Sequence, residues 1–207
     1  MRRTASRVLQ LRMASADKKA TNDGFLLGKL LVALPGMPDP RFEKSVIFMC
    51  AHTDEGAMGL IINKPLEGLS FRELIEKLDV YLTPSVSDLP VLFGGPVSTG
   101  QGFVLHTSEY AAKGATLPVT REVSLTTSVD ILRDIAEGRG PQKAVFALGY
   151  AGWGPGQIEG ELRTNGWIPC DPDKAILFDL GHDAKWKAAL GKLGADITGL
   201  SAEAGRA

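Results

Sequence analysis

Residues 144–167 read AVFALGYAGWGPGQIEGELRTNGW. An apolar run breaks at Gly152-Trp153-Gly154-Pro155-Gly156, and a short amphipathic segment follows. This pattern predicts a central strand, a glycine-rich turn and a helix. Pro155 suits the first turn of that helix, Ile158 and Leu162 share one of its faces, and Asn165-Gly166 closes it. Gln157 and Glu161 are four apart and also share a face, whereas Glu159 and Glu161 diverge by about 200°.

Outward from this stretch, the pattern stays mixed. Phe25–Leu34 is apolar and expected to be extended. Three prolines in Pro35-Gly36-Met37-Pro38-Asp39-Pro40 remove backbone donors and demand a loop. Ser45–Ala51 and Ala57–Asn63 read as strands of an antiparallel hairpin with a loop of about five residues. Ser70-Phe71-Arg72-Glu73 is a capping box opening a helix that should end near Asp79, with Phe71, Leu74, Ile75 and Leu78 as its apolar stripe. Val91–Phe93 enters a second glycine-rich loop over residues 94–102, and Phe103–His106 leaves it as a strand. Val119–Leu125 alternates like a strand. Thr127-Ser128 opens a helix with Val129, Leu132, Ile135 and Ala136 inward and Gly138 as its stop. Pro172 opens a short helix. The last helix covers Ala184–Leu193, with Trp186, Leu190 and Leu193 on one side. Clustered strands separated by single helices give an α+β class with a mixed, mainly antiparallel sheet.

The 207 residues are 44% hydrophobic and 23% charged, ordinary for a globular protein and enough for one core without metal or disulfides. Two cysteines, Cys50 and Cys170, are too few for a disulfide framework, and a reducing compartment fits. No apolar stretch reaches the ~18 residues of a membrane span, so a cytoplasmic protein with no membrane partner is expected. Net charge is −1, but residues 1–23 carry +4 and the remainder −5. The basic start has the composition of a transit peptide or a disordered tail, and the small, polar end after Gly194 is expected to fray. One domain over 24–194 remains. Its acidic body disfavours direct binding to nucleic acid, which needs a basic face.

Three blocks carry a resemblance: LLVALPGMPDPRFEKSVIFMCAHTDEGAMGLIINKP at 30–65, FGGPVSTGQGFVLHT at 93–107, and FALGYAGWGPGQIEGELRTNGWI at 146–168. Together they resemble the YqgE/AlgH family of bacterial proteins over about residues 24–179. The resemblance implies one domain whose bent sheet curls into a pseudo-barrel flanked by helices. Members are often labelled transcriptional regulators, and the resemblance implies no catalytic activity.

The Gly152–Gly156 turn is the foremost site candidate, because free amides at a helix start favour an anion. It lacks the Lys-Ser/Thr ending of a phosphate-binding loop and does not match GxGxxG. Trp153 stacks on a ligand or covers the sheet end. The candidate ligand contacts are Gly94, Gly95, Gly152, Trp153, Gly154, Gln157, Glu161, Arg41 and Asn63, with no cofactor, no metal and no catalytic residue assigned. The expected role is a non-enzymatic regulatory protein that binds a small molecule or a protein. The competing reading is an enzyme using Cys50 and His52, which share a strand face if the strand is regular, or His106, beside the glycine-rich loops.

Overall fold

The structure, a computed structural model, describes residues 25–194 apart from 85, 87 and 165. The basic start over 1–23 and the tail after 194 lie outside the described residues.

Ten strands form one sheet: β1 (Leu30–Ala33), β2 (Val46–Thr53), β3 (Gly56–Ile61), β4 (Pro65–Ser70), β5 (Pro90–Phe93), β6 (Val97–Thr107), β7 (Thr116–Pro118), β8 (Val123–Thr126), β9 (Ala144–Trp153) and β10 (Trp167–Cys170). The order runs β10-β1-β2-β3-β9-β6-β8-β7, with β4 and β5 branching from β9. Every pairing is antiparallel except β5 with β9. The sheet curls into half a barrel, giving the α+β class the pattern predicts.

Strands β1 to β3 are apolar without alternation because both faces are covered. Leu30, Val32, Val46 and Phe48 point to the inner core. There they meet Trp186, Ala189 and Leu190 of the C-terminal helix α4 (His182–Lys192). Leu31, Ala33, Ile47 and Met49 point outward, toward Ile158 of α3 (Gln157–Arg163). At the other end of the sheet, Phe71 and Ile75 of α1 (Phe71–Glu76) pack on Val91, Val104 and Phe146. Ile131, Leu132, Ile135 and Ala136 of α2 (Val129–Ala136) join them. Trp186 Nε1 donates to Ala33 O at 2.8 Å, fixing α4 across the mouth of the half-barrel.

Strand β9 changes phase midway. Phe146 and Leu148 point to the outer core, whereas after Gly149 it is Ala151 and Trp153 that do so, with Tyr150 turned inward. A one-residue slip of this kind exchanges the faces of everything beyond it. Gly149 has φ +72°, and a Cβ there would overlap Gly95 O. Gly94 and Gly95 lie against the same segment, where a Cβ on Gly95 would overlap Tyr150 C and Ala151 N. These glycines therefore permit backbone-on-backbone contact, and the slip they allow turns Trp153 toward α3.

Several local expectations are corrected. The β2–β3 hairpin is tight: Thr53 pairs with Gly56, so only Asp54 and Glu55 form the loop and His52 belongs to the strand. A bulge between Met49 and Ala51 breaks the alternation at Cys50, so Cys50 joins the inner core while His52 reaches toward α3. The long loop expected over 94–102 is mostly strand, because β6 starts at Val97, opposite Tyr150. Of the strand expected over 119–125, only Val123 onward is strand (β8); residues 119–122 form the turn from β7, where Thr120 Oγ1 accepts from Glu122 N and Val123 N. In α2, Ile131 is buried and Val129 is 45% exposed, a one-residue error in the stripe. The capping box at Ser70 forms in both directions: Ser70 Oγ accepts from Glu73 N at 3.1 Å, and Glu73 Oε2 accepts from Ser70 N at 3.0 Å. Its helix stops at Glu76 rather than near Asp79, whose φ is +55°. Residues 175–179 form a π-helical turn after Pro172.

Candidate functional site

A cavity of about 510 Å³ opens between the proline-rich loop 35–42 and α3. Gly152 and Trp153 at the end of β9 and Trp167 at the start of β10 also line it. The loop is held by its own chemistry. Asp39 caps a short 3₁₀ turn, Pro40–Phe42, by accepting from Arg41 N at 3.0 Å. The Arg41 guanidinium then folds back on the same carboxylate, with Nε at 3.0 and 3.1 Å and Nη2 at 2.6 Å. That pairing holds the Asp39 carboxyl below its usual range and the guanidinium above its own. Phe42, the next residue, stands edge-on to Trp167 with ring centroids 5.6 Å apart.

Glu161 is the centre of the opposite wall. Its Oε2 accepts from the indole N–H groups of both Trp153 and Trp167, each at 2.9 Å. Its Oε1 accepts from Gln157 Nε2 at 2.9 Å, one helical turn earlier. One carboxylate thus ties β9, β10 and α3 together. Both indoles are almost fully buried and stand edge-to-face, 6.1 Å apart. Burial of an indole requires an acceptor for its N–H, and Glu161 supplies two.

Among the sequence-derived candidates, the cavity brings together Arg41, Gly152, Trp153, Gln157 and Glu161. Gly94 and Gly95 do not line it; they are packed against β9. Gly154 is beside it, and its N–H donates to Gln157 Oε1 at 3.1 Å. Asn63 serves the backbone, accepting from Val46 N at 2.8 Å and donating to Lys44 O at 2.9 Å. At the 152–156 turn, where free amides are expected, one is already taken. The helix has only seven residues, and the Gly154 amide already has a side-chain acceptor.

Sequence reasoning missed Met37, Asp39, Phe42 and Trp167, which complete the walls. A capping aspartate two residues before an arginine was a readable signal for the loop's own ion pair. Nothing in the sequence brought that loop beside residue 167, since the approach follows from β1 pairing with β10 on one side and β2 on the other.

The histidines and cysteines lie elsewhere. Cys50 is fully buried with its Sγ directed at Phe48 O. His52 Nδ1 accepts from Leu26 N at 3.3 Å, so Nε2 carries the proton and donates to Glu159 Oε1 at 2.8 Å. His106 is closed off: Nδ1 donates to Thr107 O at 2.9 Å and Nε2 accepts from Thr126 Oγ1 at 2.8 Å. Cys50 and His52 therefore lie on opposite faces of β2 rather than on one. Among the described residues, no three His, Cys, Asp or Glu side chains cluster as metal ligands. No helix there is long and apolar enough to cross a membrane.

Burial depresses the His106 pKa below 6.5, with the bond to Thr107 O opposing the shift, and His182 is depressed in the same direction by burial. The unfolded chain then holds more protons than the folded one between 6.5 and the lower folded values. Stability should fall as pH drops through that window, by at most about 1.4 kcal/mol per pH unit for each site. Urea midpoints measured from pH 7.5 to 5 test this, and His106→Gln should flatten the slope. An unchanged slope would remove His106 as the cause.

The architecture defines a class: a half-barrel α+β protein in which a loop and a helix bracket an aromatic, carboxylate-bearing cavity. Comparison with known proteins places it further. A model of AlgH-like proteins matches residues 30–198, and the chain belongs to that family. A UPF0301 protein of Rhodospirillum rubrum is 50% identical over 90% of this chain and 96% of its own length. One from Bradyrhizobium diazoefficiens is 46% identical over 99% of both. Among solved structures, the AlgH protein of Pseudomonas aeruginosa matches with a TM-score of 0.73 at 41% identity, covering 91% of this chain and all of that one. A Corynebacterium diphtheriae protein shares the fold, with a TM-score of 0.67 at 16% identity over 92% of this chain and 97% of its own.

Proposed function

We propose that this protein is a cytoplasmic, non-enzymatic binding protein that takes a small molecule between loop 35–42 and α3 and acts as a regulator through it. The observation that supports the reading is the composition of the cavity. At about 510 Å³ it falls within the range of small-ligand sites, and it pairs aromatic walls with a few placed polar groups. Both walls carry hydrogen bonds on their own sides, and none of these joins the loop to α3. The described histidines and cysteines stand apart from it, which favours holding a ligand over transforming one. The loop is the element that a bound ligand would immobilise, and its altered surface is what a partner protein would read.

The test is a thermal-shift screen of a metabolite library against the full chain, repeated with Met37→Trp. Met37 lines the cavity and packs on the outer core, so the larger side chain at this loop position takes up cavity space. At least one compound class should raise the unfolding temperature in the native chain, and Met37→Trp should abolish that rise. A screen without a stabilising compound, or with shifts that Met37→Trp leaves intact, would refute the proposal.

A further inference from the structure

We infer that the ligand of this cavity is a small organic cation: an ammonium or guanidinium group on a short aromatic or apolar frame. The inference rests on the binding role proposed above and adds the chemistry of what is bound.

Charge decides the sign. Among the described residues, the charged side chains lining the cavity are Asp39, Arg41 and Glu161. Arg41 and Asp39 neutralise one another through the forked contact. Lys64, a second cation, feels Asp39 and Glu43 at the same end. No lysine, arginine or histidine among the described residues makes an ion pair with Glu161. Its three partners are neutral N–H groups. Neutral donors bring no positive charge of their own to set against the carboxylate. The cavity therefore carries a net charge of about −1 on its α3 wall.

The walls agree with the charge. Phe42 is the half-buried ring of the lining, and aromatic faces attract cations by their quadrupole; Trp153 and Trp167 are almost fully buried and add little open surface. Arg41 already lies over Phe42 at 5.9 Å from the ring centroid, so this wall accepts a guanidinium. Gln157 offers the exchange that binding needs. It is exposed, and its amide N–H occupies one Oε1 lone pair that a ligand N–H can take over. An anion is served less well: Arg41 Nε and Nη2 are turned to Asp39, and the Gly154 amide donates to Gln157 Oε1.

Three ring-sharing probes separate the possibilities: phenethylammonium, phenethyl alcohol and phenylacetate, titrated against the full chain at pH 7 by calorimetry and tryptophan fluorescence. The ammonium should bind about tenfold or more tightly than the alcohol, weaken with added salt, and leave phenylacetate without measurable binding. Thr164→Lys, an exposed change on the cavity wall, places a resident cation near Glu161. It should weaken the ammonium by about tenfold with the unfolding temperature unchanged. Binding of the alcohol or the carboxylate as tightly as the ammonium would overturn the cation assignment, as would indifference of the ammonium to Thr164→Lys. If none of the three binds but the metabolite screen finds a neutral or anionic ligand sensitive to Met37→Trp, the cation assignment fails and the binding role survives. If the screen too is empty, both fall.

Discussion

Gly149→Ala should destabilise the protein by about 2–5 kcal/mol, combining the cost of a left-handed alanine with the overpacking of a Cβ driven into a neighbouring backbone. The overlap is with Gly95 O, a carbonyl with little room to retreat because Gly95 itself abuts Tyr150 and Ala151. Gly156 provides the control. Its φ is +70°, close to the +72° of Gly149, but a Cβ there meets nothing within 4 Å. Gly156→Ala should therefore cost only about 1 kcal/mol. Urea unfolding of the two variants separates backbone strain from steric contact. Equal losses would mean that the phase slip in β9 relaxes without cost, and that Trp153 is not held in place by it.

Glu161→Leu should cost about 2–5 kcal/mol, because it leaves two buried indole N–H groups without their acceptor. The leucine fills comparable space, so the loss reports hydrogen bonding more than packing. Glu161→Gln, which keeps one acceptor oxygen, should lose less than half as much. Chemical denaturation gives the energies, and a red shift of tryptophan emission should accompany Glu161→Leu as water reaches Trp153 and Trp167. A leucine variant as stable as the native chain would show that water already serves these indoles.

Much of this architecture was readable. The run from Lys143 to Ala151 announced a central strand; the structure carries it on to Trp153 and sets β9 between β3, β5 and β6. The capping box at Ser70 was legible because both halves of it are local. The edge strands were not: β4, β7 and β10 are short and contain Pro65, Pro118 and Pro169, so their pairing comes from neighbours rather than from their own pattern. The site was half legible. Gln157 and Glu161 follow from helical spacing and line the cavity. Trp167 reaches the same carboxylate only because β10 returns beside β1, a tertiary fact with no sequence period. The pairing of Cys50 with His52 failed on a single bulge, and the bulge has no glycine or proline to announce it.

The pairing of β1 with β10 has a consequence during synthesis. Leu30 meets Cys170, so the partner of an early strand leaves the ribosome some 140 residues after it. Until then β1 has a bare edge, and the apolar concavity awaits the helix carrying Trp186. Nascent chains stopped before residue 170 thus expose an unpaired strand and an open greasy trough together, the combination that invites chaperones or aggregation. Completion of β10 and α4 acts as the closing step, and premature termination before them should yield insoluble product rather than a smaller working protein.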